Sequence, residues 1–274
     1  MHWLKTLRQQ LIQHKYAINA KQLGDPAQLP WSNLGYWDEA TSCYPQACRQ
    51  LAEQLAQAVQ LNSNDRLLDL GCGQGASLLL WQQHYQLQHI EAVELQAVCV
   101  LHIQKYLPQL HAVSDSFLNL RKISFQHSFD VVLCIDAAYH SNVDLFLDAV
   151  CSVLNPQARL GFHYLIFSEK WHTLTALQKQ KYRVLLKAAD VHLDHLMSES
   201  CLVQSLQDYH FIDIQVRDLS SAVLQGFANY FQQLPQHTAG LDAFKIRMTA
   251  KLCEKLYADG LIKYVQISAK NNAE

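Results

Sequence analysis

The sequence predicts an α/β protein built on a doubly wound, mostly parallel sheet. Short apolar strands alternate with single helices between residues 45 and 167. The first of those strands runs into a glycine-rich turn, and acidic residues recur at successive strand ends.

Taken in order, residues 3–24 carry an amphipathic, glutamine-rich pattern that predicts helix ending near Gly24-Asp25-Pro26. Beyond Pro30, the aromatic-rich turn Trp31-Ser32-Asn33-Leu34-Gly35-Tyr36-Trp37 reads equally as packing on the domain surface or as a flap over a ligand. Residues 45–60 form a helix with Cys48, Leu51, Leu55 and Ala58 on one stripe. Strands follow at 66–70, 90–94, 110–113, 129–135 and 159–167, separated by helices at 76–83, 96–106 and 143–154, the last stopped by Asn155-Pro156. Alternation of this kind specifies parallel β-α-β units with right-handed crossovers.

Past residue 167 the alternation lapses. Residues 169–191 and 197–208 are helical in pattern, 211–217 alternates through Ile212, Ile214 and Val216, and 219–233 and 241–257 are two more helices. A closing strand covers 261–269, making seven. The economical arrangement is one αβα domain with helical lid insertions. Its parts are N-terminal helices and flap over 1–60, a ligand-binding core over 61–168, a lid over 169–208, and C-terminal strands and helices over 209–274.

A formal charge of −2 with 17% charged residues gives no suggestion of a nucleic-acid surface. The local cluster Lys179, Lys181, Arg183 and Lys187 reads as a solvated helix face. Eight cysteines without C-x-x-C spacing read as thiols of a reducing compartment. With no long apolar stretch, the expectation is a cytoplasmic protein without stable membrane insertion, as monomer or homodimer.

The chemistry centres on Asp69-Leu70-Gly71-Cys72-Gly73-Gln74-Gly75. Glycines at 71, 73 and 75 let the backbone bend and approach a ligand closely, but alone they are only loosely related to a dinucleotide fingerprint. Asp69 adds information, because a pyrophosphate cradle disfavours a neighbouring carboxylate whereas a cationic ligand is attracted by one. Asp69, Glu94, Asp115 and Asp136 each end a strand, at separations of 25, 21 and 21 residues, on the side of an open α/β sheet where ligands bind. Glu94 has two oxygens for a ribose diol, and Asp115, after Ser114, can accept from an adenine amino group. A diol, an adenine and a cationic head group describe S-adenosylmethionine better than a nicotinamide dinucleotide. A nicotinamide-dependent oxidoreductase would leave Asp69 and Asp115 poorly explained.

These residues resemble motifs of the class I S-adenosylmethionine-dependent methyltransferases. Leu67 to Gly75 is similar to their first motif, Val93-Glu94 to the acid ending their second strand, Ser114-Asp115 to the adenine-side acid, and Phe129 to His140 to the fourth strand and its loop. The turn Pro156-Gln157-Ala158 departs from the family's common Pro-Gly-Gly, which bears on strand geometry more than on cofactor binding. Asn33 to Trp37, together with Asp136-Ala137-Ala138-Tyr139-His140, resembles the small-molecule branch that includes tocopherol, sterol, phosphoethanolamine and natural-product methyltransferases.

The resemblance implies a seven-stranded sheet with the last strand antiparallel and S-adenosyl-L-methionine as cofactor. It implies cofactor contacts from Tyr36, Asp69, Gly71, Gly73, Gly75, Glu94, Leu95, Ser114, Asp115, Ser116 and Asp136. Tyr139 and His140 then face a small-molecule acceptor, with His140 as candidate general base or as a structural imidazole. A non-catalytic cofactor-binding protein would share the cofactor contacts. His192 and His195, spaced to share a helix face, have no third ligand at recognisable spacing, so no metal is expected. Trp171, Leu174, Leu177, Tyr182, Leu202, Leu206, Phe227 and Tyr230 read either as an acceptor pocket or as core between lid and sheet.

Overall fold

The computed structural model describes residues 19–234 and 240–272. Most of the predicted N-terminal helix, residues 3–18, lies outside the described residues. Its end is a short 3-10 turn, Ala20–Leu23, closed by Gly24 in the left-handed conformation.

Seven strands form one sheet: β1 (Arg66–Leu70), β2 (His89–Glu94), β3 (His111–Ser114), β4 (Phe129–Cys134), β5 (Leu154–Phe167), β6 (Phe211–Asp218) and β7 (Ile262–Asn271). Their spatial order is β3-β2-β1-β4-β5-β7-β6. The first five pair in parallel, and β7 runs antiparallel between β5 and β6. The chain moves outward from β1 to β3 and then crosses back to β4. The strand order therefore reverses between β1 and β4, and the carboxyl ends of those two strands diverge into a cleft.

Four helices alternate with the parallel strands: α1 (Tyr44–Ala58), α2 (Ala76–Gln83), α3 (Ala97–Tyr106) and α4 (Val143–Cys151). Because successive side chains of a strand point to opposite faces, neighbouring residues enter different core layers. Leu67, Leu133 and Val131 pack with Leu51, Leu55, Trp81 and Ile103 on one face. Leu68, Leu70 and Val132 pack with Phe146, Val150 and Phe162 on the other.

The C-terminal half holds α5 (Ala176–Ala188), α6 (Glu199–Asp208), α7 (Gly226–Gln233) and α8 (Leu241–Asp259). Three boundaries differ from expectation for identifiable reasons. The helix expected over 169–191 is a 3-10 turn, Glu169–Thr173, followed by α5, because Thr175 and Gln178 close a capping box that starts a new helix. β5 begins at Leu154 because that residue pairs with Phe129, while Asn155 Nδ2 donates to Asp130 Oδ1 at 2.6 Å. The helix expected from 219 opens in a π-helical turn, Ser221–Gln225, next to Gly226, where an added Cβ would stand 2.4 Å from Trp37 Cβ.

No helix among the described residues is long and apolar enough to cross a membrane. The eight cysteines are unpaired; Cys43 and Cys201 are exposed and Cys151 is intermediate, whereas the other five are buried.

Candidate functional site

At the end of β1 the backbone turns through Gly71, Gly73 and Gly75, all with positive φ. Gly71 N–H donates to the Val93 carbonyl at 2.8 Å, tying the loop to β2. An added Cβ at Gly73 would stand 2.3 Å from Ser32 Oγ, so the aromatic-rich segment is seated directly on the glycine loop. Between them lies a cleft lined by Pro30, Trp31, Ser32 and Asn33 on one side and Asp69, Gly71, Cys72, Ala76, Ser77 and Ile135 on the other. Tyr36 is not among these residues. Its N–H donates to the Ala47 carbonyl at 2.8 Å and its ring packs against the core.

Asp69 is fully buried, and its Oδ2 accepts a hydrogen bond from Trp81 Nε1 at 2.7 Å. Its Oδ1 is buried without a hydrogen bond of full geometry, next to the Ser77 hydroxyl, which likewise has no partner; Asp69 and Ser77 both line the cleft. Burial pushes this carboxyl up to about 6, against the pull of the neighbouring Ser77 hydroxyl and the Trp81 N–H. A buried acid with one oxygen unsatisfied, beside a close-approach glycine turn, is a site for a hydrogen-bonding cation.

Glu94 ends β2 with both oxygens engaged by backbone: Oε2 accepts from Gly73 N–H and Oε1 from Gln96 N–H, each at 2.9 Å. Each oxygen retains a further lone-pair direction. Burial raises its carboxyl above the usual range, while the Gln96 and Gly73 N–H groups oppose the shift. Across the β2–β3 edge, Asp115 N–H donates to the Glu94 carbonyl at 3.2 Å. Asp115 Oδ1 accepts from Ser116 N–H at 2.6 Å and from Asn119 Nδ2 at 2.8 Å. Ser116 caps the following 3-10 turn through its hydroxyl, Ser114 is exposed at the end of β3, and Leu95 is 52% exposed beside Glu94.

Asp136, expected as a cofactor contact, is hydrogen-bonded to the protein through both carboxylate oxygens. Its Oδ1 accepts from the Tyr139 and Tyr264 hydroxyls at 2.8 and 3.0 Å, and its Oδ2 accepts from Leu34 N–H at 2.8 Å. Enclosure pushes its carboxyl up to about 6 against these three hydrogen bonds. His140 follows in the same turn, its ring centroid 4.6 Å from that of Tyr139. Its Nδ1 lies 3.1 Å from the Asp190 carbonyl. A carbonyl can only accept, so the proton sits on Nδ1 and the basic lone pair on Nε2.

The residues weighed as an acceptor pocket are dispersed. Leu202 and Leu206 pack in the opposite core layer with Phe211, because α6 leads into β6 and covers the other sheet face. Leu177 is exposed, Trp171 stacks on Phe167 at 4.3 Å, and Tyr230 stacks on Trp37 at 4.3 Å. His192 and His195 flank a 3-10 turn, Leu193–His195, with ring centroids 5.1 Å apart. No cluster of three metal-binding side chains occurs among the described residues. Sequence reasoning missed Trp81, Ser77, Asn119, His163 and Tyr264. Each acts through a contact made in three dimensions; only Asn119, four residues after Asp115, had a local spacing that marked it.

Residues 67–157 match the model of the family described as a methyltransferase domain, and the strand order with its antiparallel β7 is the Rossmann-like fold of class I methyltransferases. The chain is 24% identical over 211 residues to erythromycin 3''-O-methyltransferase of Saccharopolyspora erythraea, an alignment covering 73% of this chain and 67% of that protein. Its fold is similar to geranyl diphosphate C-methyltransferase from Streptomyces coelicolor, solved with S-adenosyl-L-homocysteine. The TM-score is 0.71 at 14% identity, covering 92% of both chains. The cyclase SpnF is also similar, with a TM-score of 0.69 at 18% identity over 97% of both chains.

Proposed function

We propose that the cleft binds S-adenosyl-L-methionine through the side chains around the glycine loop. We further propose that the turn carrying Tyr139 and His140 receives a small to medium organic acceptor, methylated on oxygen, nitrogen or carbon. The observation that carries the reading is the buried Asp69, a residue of the cleft lining whose Oδ1 makes no hydrogen bond. It fits the α-ammonium of the cofactor's methionine part. Glu94 would take the ribose diol on its remaining lone pairs, Asp115 Oδ2 the adenine amino group, and Leu95 the adenine face. Ser114 and Ser116 hold Asp115 in register. Tyr36 supports the segment above the cleft from behind.

When bound, the cofactor supplies an electrophilic methyl group on sulfur. This chain's residues then align the acceptor and exclude water, which is where the rate advantage of such transfers resides. His140, protonated on Nδ1, accepts the acceptor's proton at Nε2, and Tyr139 orients the acceptor. An oxygen acceptor is favoured by the relative named as an O-methyltransferase. Eight unpaired cysteines fit a reducing cytoplasmic setting, and the small net charge fits a protein without a nucleic-acid partner.

The test is release of S-adenosylhomocysteine over panels of phenols, quinols, sugar hydroxyls, amines and lipid head groups, preceded by calorimetric titration with S-adenosylmethionine, S-adenosylhomocysteine and NAD. Binding of NAD alone would sink the reading. The likeness to SpnF supports one alternative, catalysis without methyl transfer on the same fold. Tight S-adenosylhomocysteine binding with no methylated product from any panel would favour it.

A further inference from the structure

The turn after β4, two other strands and the segment over the glycine loop meet at Asp136. Its N–H donates to His163 Nδ1 on β5 at 3.2 Å, and its Oδ1 receives hydroxyls from Tyr264 on β7 and Tyr139 in the following turn. Its Oδ2 receives the N–H of Leu34, in the middle of the segment seated on the glycine loop. Accepting from Asp136 fixes His163 as the neutral tautomer with its proton on Nε2. That bond holds Asp136 in a left-handed conformation, φ 53°, which turns its side chain back toward Leu34.

We infer that Asp136 is a positioning residue that ties the seating of segment 31–37 over the cofactor cleft to the placement of Tyr139 and His140. The inference deepens the methyltransferase reading and rests on it. Both ends of the segment are fastened elsewhere: Trp31 N–H donates to Asp25 Oδ2 at 2.7 Å, and Trp37 N–H donates to the Ala222 carbonyl at 2.9 Å. Asn33 is held from α1, where the Tyr44 hydroxyl donates to its carbonyl at 2.8 Å. The Leu34 bond crosses to the other wall of the cleft, from the segment to the loop after β4. The same carboxylate oxygen pair orients Tyr139, and the Tyr139 ring lies against His140. Cofactor cover and acceptor groups are thereby assembled on one side chain, so the acceptor turn is in register only when the cover is seated.

The role needs acceptor oxygens and no charge toward a ligand, which separates it from direct contact with a cation. In Asp136→Asn the amide oxygen can face Leu34 N–H while its NH2 donates to the two tyrosine oxygens. Asp136→Ala removes every such bond. The experiment measures backbone hydrogen exchange of segment 31–37 and calorimetric affinity for S-adenosylhomocysteine in wild type and both variants. For Asp136→Ala, exchange at Leu34 should rise at least about tenfold and affinity should fall by about the same factor. For Asp136→Asn, both should stay within about threefold of wild type. A loss in Asp136→Asn as large as in Asp136→Ala overturns the inference in favour of direct ligand contact, and so does no change in either. Should Asp136→Ala fail to fold, a loss of tenfold or more in Asp136→Asn still overturns it. Wild type that ignores S-adenosylhomocysteine defeats the methyltransferase reading instead, while ligand-free exchange at Leu34 still reports on the fastening.

Discussion

Asp69 and Asp136 end neighbouring strands of the same cleft, and enclosure pushes both carboxyls up to about 6. They differ in what remains unsatisfied. Asp136 has protein donors on both oxygens, whereas Asp69 has Trp81 on one oxygen and on the other only the adjacent Ser77 hydroxyl, which makes no hydrogen bond of full geometry. Similar burial and similar titration therefore mark two different jobs, and the count of open acceptor positions tells them apart. A closed carboxylate is architecture, and an open one beside a cavity is a place for a ligand.

The sharpest way to break this contrast is Asp69→Asn. The side chain keeps an acceptor for Trp81 but loses the charge, so S-adenosylhomocysteine affinity should fall by roughly 10- to 100-fold, the worth of a charged hydrogen bond. The ligand-free protein should become more stable near pH 7.5. A shift from 3.8 to about 6 means the ionised buried carboxyl costs about 3 kcal/mol there, and the amide does not bear it. Thermal unfolding and calorimetry on the same samples check both halves. A variant that binds normally, or that melts lower without ligand, reverses the assignment.

Glu94→Ala comes next. Removing the group expected at the ribose should weaken S-adenosylmethionine and S-adenosylhomocysteine by at least about tenfold. It also releases the Gly73 and Gln96 N–H groups, so Glu94→Gln, which retains an acceptor, should recover part of the loss. Unchanged affinity in Glu94→Ala would refute the ribose role.

The contrast also explains what was legible in the sequence. The glycine loop and β1 were readable because an apolar run and three glycines act locally, and β1 occupies the expected residues. Glu94 and Asp115 stood out because strand-end acids repeat along the chain. The closure of Asp136 was hidden: its donors come from residues 34, 139 and 264, and no linear pattern links them. Trp81 is a core residue, and only the packing of α2 against β1 shows its indole reaching Asp69. The early start of β5 and the π-helical turn before Gly226 were likewise decided by partners distant in sequence. Leu202 and Leu206 could not be assigned to a sheet face until the path of α6 was known.

A smaller effect is expected where the covering segment meets the loop. Gly73→Ala puts a methyl group against Ser32 Oγ at a residue with φ 56°. The left-handed conformation costs about 1–2 kcal/mol for alanine, and the clash adds to it. Ser32→Ala in the same chain should relieve the clash but not the conformational cost. The double variant should therefore be more stable than Gly73→Ala alone by a few tenths to about 1 kcal/mol. Strict additivity in denaturant unfolding would mean that the segment is not seated on the loop.

The last test uses acid to separate the two aspartates. Asp69 and Asp136 have folded-state values near 6 against 3.8 for the unfolded chain. The folded protein takes up their protons between about pH 6 and 4, and stability from these groups rises as pH falls through that window. Glu94, also raised by burial, acts in the same direction. His163 opposes them, because burial lowers its value from 6.5 to about 3; the unfolded chain protonates first, and stability is lost as pH falls below about 6.5. Three carboxyls outweigh one imidazole, so these groups should raise the melting temperature of ligand-free protein as pH falls from about 6 to 4. Affinity should move the opposite way, because an ammonium beside Asp69 favours its ionised form and binding must expel a proton below about pH 6. The dissociation constant for S-adenosylhomocysteine should then weaken by up to about tenfold per pH unit from this group. Asp69→Asn should flatten that dependence, and Asp136→Asn should preserve it because its carboxylate faces only the protein. Flattening in Asp136→Asn with the slope intact in Asp69→Asn would exchange the two roles.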